Sequence, residues 1–331
     1  MLVRIAIAFP AAVLVLLSAA AVPNALGDKL PNAGGIVGPE RCGECHKREF
    51  AAWKDSGHAR GYHTMHRSPA AKAIAANLGM TRIKSAPSCI RCHYTPVERL
   101  GAVRAGQGVS CESCHGPAAD WLAVHDDFGG SDVNEDDEKP EHRVRRIERC
   151  RELGMRHPEV FYELASRCYG CHAVDDEELV DIGGHPSGVG FELLSWNPEA
   201  GRHAFSAADG MPEVEPSSET SALLYLLGPL LDLEHGLTAA ARAKGDGVYL
   251  DSIKTRVGAA VERIEEISRA LGGDPTLDEI LVLAGSVSWE ANTETELAAV
   301  AARIRDRTQR FLEGRTGTGF ADLAARAPAA K

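Results

Sequence analysis

Cys42-Gly43-Glu44-Cys45-His46 is the first occurrence of a five-residue phrase that the chain repeats as Cys89-Ile90-Arg91-Cys92-His93, Cys111-Glu112-Ser113-Cys114-His115 and Cys168-Tyr169-Gly170-Cys171-His172. Two residues between the cysteines let one short turn present both sulfurs to one edge of a planar ligand. The histidine that follows can then reach an atom at the ligand's centre. This is the attachment pattern of c-type haem, with two thioether bonds to the macrocycle and an imidazole on the iron. At this chain's own Cys and His frequencies, chance gives about one such match per hundred chains of this length. The four phrases therefore predict four covalently bound haem c groups, with His46, His93, His115 and His172 as proximal iron ligands. Paired C-x-x-C would also suit tetrahedral zinc, but zinc gives no reason for a histidine after every pair.

Upstream of the first phrase, Arg4 precedes an apolar run from Ile5 to Val22, and Ala25-Leu26-Gly27 stands before the charged Asp28-Lys29. That order reads as a secretory signal peptide over residues 1–27, with the bacterial periplasm, where c-type haem is attached, as the destination. An uncleaved membrane anchor is the alternative; Pro10 and the small residues after it favour cleavage. No later apolar stretch approaches the ~18 residues that a membrane span needs.

The chain has 331 residues, and its aromatic share of 5% is low for a large core. Macrocycles in the first half would supply the missing apolar bulk. A net charge of −11 argues against nucleic acid and favours a docking partner with a basic face. From 28 to 216, Gly, Pro and Ser recur and no alternating strand pattern persists, so short helices with long irregular connections are expected around the haems. The acidic stretch from Asp126 to Glu138 followed by Arg143-Val144-Arg145-Arg146 reads as a solvated loop leading into a charged helix, with partner docking as the minority reading.

What fills each sixth iron position separates an electron carrier from a catalyst. Thirteen histidines less the four in the phrases leave nine: His58, His63, His66, His125, His142, His157, His185, His203 and His235. So many spare imidazoles invite bis-His coordination. After the initiator only Met65, Met80, Met155 and Met211 remain, which leaves little room for Met ligation.

The segment from Cys42 to His46 through Trp53-Lys54-Asp55-Ser56-Gly57-His58-Ala59, with Gly108-Val109-Ser110 leading into the third phrase, Gly116-Pro117 following it and His125 beyond, resembles the tetrahaem cytochrome c-554 family of ammonia-oxidising bacteria. The resemblance covers roughly residues 40 to 172. It implies haems wrapped in closely stacked pairs and an electron donor of the hydroxylamine oxidoreductase type. It also implies that His58 and His125, twelve and ten residues after the phrase histidines that precede them, are distal ligands, with His125 closing the first haem. In that family the second haem lacks a distal ligand, and the third distal histidine lies near the chain end, where this sequence continues. Gly183-Gly184-His185-Pro186 and Trp196-Asn197-Pro198 to His203 resemble a segment of related multihaem cytochromes, which makes His203 and then His185 the further distal candidates. His185 is the candidate to complete the second haem; without it the iron on His93 stays open. His63, His66, His142, His157 and His235 are read as ordinary surface or hydrogen-bonded histidines, Cys150 as a free thiol, and Trp53 as packing that positions His58.

From 217 to 331 the composition shifts to Ala, Leu, Glu and Arg, and Val257, Ala260, Val261, Ile264, Ile267 and Leu271 repeat at helical spacing, as do Leu297, Val300, Ile304 and Phe311. This predicts a bundle of about four helices, two of them opened by capping boxes at Thr276-x-x-Glu279 and Thr293-x-x-Glu296. Structural support or oligomerisation is its expected role, and Glu234-His235 reads as a helix-surface pair. The expected whole is a mainly α protein, a multihaem cytochrome c domain with few regular elements followed by a helical bundle. Its expected function is to pass single electrons between redox partner proteins in the periplasm. The alternatives are a reductase of small nitrogen compounds at an open haem, and a haem-bearing subunit docked onto a larger oxidoreductase through the bundle.

Overall fold

A computed structural model of the chain describes residues 32–158, 160–195, 218–290, 292–313, 320 and 323. The expected signal peptide, the candidate ligand His203 and the expected domain boundary at 216/217 lie outside the described residues.

The first half is mainly α and built of short pieces, many of them opened by a residue suited to start a helix. Proline stands at the first helical position of Pro39–Cys42, Pro69–Asn77, Pro87–His93 and Pro140–Glu152, where its missing N–H removes nothing and its fixed φ helps. Ser56 and Ser68 cap Gly57–Thr64 and Pro69–Asn77 by accepting the N–H of Ala59 and of Ala71. Helices of this length are marginal on their own, so side-chain ties and apolar packing must hold them in place.

One feature departs from the expected irregularity. Thr95–Arg99 and Ala102–Gln107 pair as an antiparallel hairpin between the second and third phrases. Its two-residue turn, Leu100-Gly101, has positive φ at both positions (53° and 71°), the twist that suits a tight hairpin. Strands this short leave too few alternations for a period-2 pattern to stand out. Thr95 at the base ties the hairpin to the third phrase, bonding Ser110 Oγ at 2.9 Å and Ser113 Oγ at 2.6 Å.

The second half contains the four expected helices, Ser218–Ala240, Val248–Ala270, Pro275–Gly285 and Glu294–Leu312. Ser218–Ala240 is the hub, with Leu224, Leu226, Leu227, Leu230, Leu231, Leu233 and Leu237 all buried. A helix apolar on every side is a core helix with neighbours all round. The other three cover it with Ile253, Val257, Ile264, Ile280, Leu297 and Ile304. A second apolar cluster joins Tyr162, Ala165 and Tyr169 of the Phe161–His172 helix to Leu224, Leu227 and Leu231, with Phe191 and Leu193 between. The fourth phrase is thus packed directly on the bundle.

Two details correct the sequence reading. Asp274, not Thr276, caps Pro275–Gly285, its carboxylate accepting the Thr276 and Leu277 N–H groups at 2.9 and 3.3 Å. The Thr293/Glu296 capping box is present as expected. Glu234 is no surface residue: it is 2% exposed and accepts hydrogen bonds from Tyr162 Oη at 2.5 Å and Arg305 Nε at 2.6 Å. Among the described residues no helix is long and apolar enough to cross a membrane.

Candidate haem-binding site

Each phrase sits on or beside a short helical turn that exposes its thiols. Pro39–Cys42 ends in the first cysteine; Pro87–His93, Cys111–His115 and Phe161–His172 contain the other three phrases. Except for the exposed Cys45, the phrase cysteines are half-buried.

Glu112, inside the third phrase and 1% exposed, binds the segment before the first one. Its carboxylate accepts N–H groups from Val37 at 2.9 Å, Gly38 at 2.8 Å and Ala118 at 2.9 Å. This draws the first and third phrases together, with the Cys42 and Cys111 thiols beside each other. Cys92 and Cys171 are likewise neighbours between the second and fourth phrases, and the Cys171 thiol reaches the Arg91 carbonyl at 3.9 Å. Arg156 and Arg167 both donate to the Ser113 carbonyl, at 3.3 and 2.9 Å, joining third to fourth. The attachment points therefore adjoin in the order first, third, fourth, second.

Three of the phrase histidines each face a second histidine from a distant part of the chain. His46 faces His125 with ring centroids 6.2 Å apart, His172 faces His58 at 6.2 Å, and His93 faces His185 at 6.0 Å. A metal–imidazole bond of roughly 2 Å on each side of one atom, plus about 1 Å from each nitrogen to its ring centre, gives about 6 Å. The three spacings fit that arithmetic. The tilts between the rings, 34°, 60° and 55°, are not those of stacked pairs.

The outer nitrogens are oriented as metal-bound imidazoles require. His125 Nδ1 lies 2.6 Å from the Leu122 carbonyl, His185 Nδ1 2.8 Å from that of Pro186, and His115 Nδ1 3.2 Å from that of Arg156. A carbonyl only accepts, so Nδ1 carries a proton in each and Nε2 is the nitrogen turned toward a metal. Burial, with the positive potential of neighbouring histidines behind it, holds His93 and His172 down to about 4, so both are neutral above that pH. Trp121, edge-on to His125 at 5.4 Å, and Arg91, within the second phrase, keep buried donors at Nε1 and Nε with no protein acceptor among the described residues. Buried donors left over beside the paired imidazoles fit a carboxylate-bearing macrocycle. Among the described residues no three His, Cys, Asp or Glu side chains converge as a zinc site needs.

The remaining candidates have other occupations. His142 bonds Glu138 at 2.6 Å, and His235 Nε2 lies 3.0 Å from Ser166 Oγ, with burial holding it down to about 3. Trp53 donates Nε1 to the Val109 carbonyl at 2.8 Å, pinning the stretch before His58 to the approach of the third phrase. Cys150 is fully buried. The basic stretch is not all solvated: Arg146 is 8% exposed, bonds Glu138 at 2.5 and 2.8 Å, and reaches the His125 carbonyl at 2.6 Å.

Sequence reasoning missed Glu112, Arg146 and Phe191, the last stacked on the His172 ring at 4.3 Å and 15°. Glu112 alone left a trace, as an acidic residue between two haem cysteines.

A family model described as cytochrome c554 and c-prime matches residues 41–116, which hold the first three phrases. Cytochrome c-554 of Nitrosomonas europaea is 25% identical over 167 residues, covering 47% of this chain and 66% of that protein. The chain thus spans just under two thirds of that relative's length. No solved structure matches it. The resemblance to the cytochrome c-554 family read from the phrases and their flanks is borne out over this segment, and a cytochrome of that family implies covalently bound haem c.

Proposed function

We propose that this chain, whose residues 41–116 are of the cytochrome c554 family, is a periplasmic tetrahaem cytochrome that passes electrons singly between redox partner proteins. The facing histidine pairs carry the reading. In it Cys42 and Cys45, Cys89 and Cys92, Cys111 and Cys114, and Cys168 and Cys171 hold the four groups covalently. His46 with His125, His93 with His185, and His172 with His58 would hold three of the irons, and His203, outside the described residues, would be the candidate left for the iron on His115. When bound, haem c supplies a reversible one-electron couple at iron.

The protein's own residues do the rest. Opposed imidazoles would hold an iron from both sides, leaving no room for an exogenous ligand, and the same two residues would serve in both oxidation states, which would keep reorganisation small. Adjoining attachment points, first to third to fourth to second, keep neighbouring centres close. The His185 ring opposite His93 weighs against the open-haem reductase, because the position a nitrogen substrate would need lies between two imidazoles. Export to the periplasm rests on residues 1–27 and on the chemistry of haem attachment.

Intact mass and reductive titration test this together. Four haem additions and four electrons per chain are expected; three or fewer of either would overturn the tetrahaem reading.

A further inference from the structure

The bundle contains none of the four phrases, yet it grips the strap from Ala173 to Ser195, and His185 lies in the middle of that strap. Asp175 bridges Arg91 of the second phrase at 2.5 Å and Arg242, just past the hub helix, at 2.6 Å. Two residues on, Glu177 accepts the backbone N–H groups of Lys244 and Gly245 at 2.9 and 3.2 Å. Val180 is buried in the bundle's own core.

Asp181 supplies the missing cap of Val248–Ala270, accepting the Tyr249 N–H at 2.8 Å. The residue at that cap, Gly247, has no side chain to offer, and a Cβ there would meet the Asp181 carboxylate, with Cγ at 2.9 Å. Beyond His185, Arg256 donates to the Gly188 carbonyl and to that of His172, the latter at 3.2 Å, and pairs with Asp232 at 2.5 Å. The strap's other side rests on the Pro69–Asn77 helix: Asn77 Nδ2 donates to the Gly183 carbonyl at 3.1 Å. His185 itself is tied back to the Leu179 carbonyl by its N–H at 2.9 Å.

We propose that the C-terminal bundle is the positioning device for His185, with Asp181 and Arg256 as the positioning residues that clamp the strap on either side and keep the imidazole opposite His93. The inference rests on the reading of His93/His185 as an axial pair. Coordination of the second iron is then set by helices that themselves bind no haem, and loosening the clamp frees a face of that one iron while every ligand side chain stays in the chain. Side chains that acted only as packing would change stability but not the ligation state of a single haem in the folded protein.

Carbon monoxide uptake by the reduced full-length holoprotein, followed optically with the haem content of each variant, is the test. Wild type should take up essentially none, and His185→Ala one equivalent per chain at once. Asp181→Ala should bind it at that same single iron, with an open fraction raised about fivefold, the factor that loss of one cap implies, and Arg256→Gln should raise uptake at the same iron. Asp181→Asn, which still accepts the Tyr249 N–H, should return to within about twofold of wild type. If His185→Ala takes up carbon monoxide while Asp181→Ala and Arg256→Gln, at full haem content, stay inert, the bundle does not position His185. If His185→Ala is itself inert, the axial pair is wrong and the inference falls with it. Should Asp181→Ala fail to load haem, Arg256→Gln alone decides.

Discussion

At the Glu112 carboxylate three backbone N–H groups converge, from Val37, Gly38 and Ala118, at a residue 1% exposed. Removing the acceptor leaves those donors in a dry site, and each orphaned buried donor costs about 1–3 kcal/mol. Glu112→Ala should therefore destabilise the holoprotein by about 3 kcal/mol or more in denaturant titration, and Glu112→Gln, which keeps one accepting oxygen, by distinctly less. Glu138 behaves as a titrating strut under His125. Its hydrogen bond from Arg146, aided by His142, holds it down to about 2, against about 4.3 for an unfolded glutamate. A carboxylate depressed by folding stabilises the native state above its unfolded value and stops doing so as pH falls through its folded one. Stability should fall from about pH 4 toward pH 2, with a shallower fall in Glu138→Gln, followed by circular dichroism at fixed temperature.

Among the elements, the caps separate what can be read from sequence from what needs the fold. Thr293 and Glu296 obey a local rule and form their box. Thr276-x-x-Glu279 has the same spelling but begins two residues too late, because Asp274 followed by Pro275 is the stronger start. Asp274→Ala and Thr293→Ala should each cost about 1 kcal/mol, while Thr276→Ala stays within about 0.5 kcal/mol; thermal unfolding of the three variants checks the assignment. The four phrases were likewise legible because the chemistry is local. Pairing was not, since His46 and His125, His93 and His185, and His58 and His172 meet only through long-range folding. Glu234 was misread because charge suggested a surface, whereas the leucine-rich run on both sides of Asp232-Leu233-Glu234-His235 marks a helix with buried residues on every side. Val248–Ala270 shows the same limit in another form, since its cap comes from Asp181 in a different part of the chain.

The molecule as a whole is two kinds of architecture sharing one seam. On one side, short helices are set by ties such as Glu112, Thr95 and Arg156, which order the attachment points first, third, fourth, second. On the other, a leucine-rich hub helix packs with the helix that bears the fourth phrase. The strap carrying His185 runs along that seam, so the feature separating this chain from an open-haem design lies where the bundle meets the haem region. The central claim, that the iron on His93 has no free face, is tested most directly by low-temperature electron paramagnetic resonance of the oxidised holoprotein. The account predicts low-spin ferric signals alone, integrating to all four irons; a high-spin signal amounting to one iron per chain would contradict it.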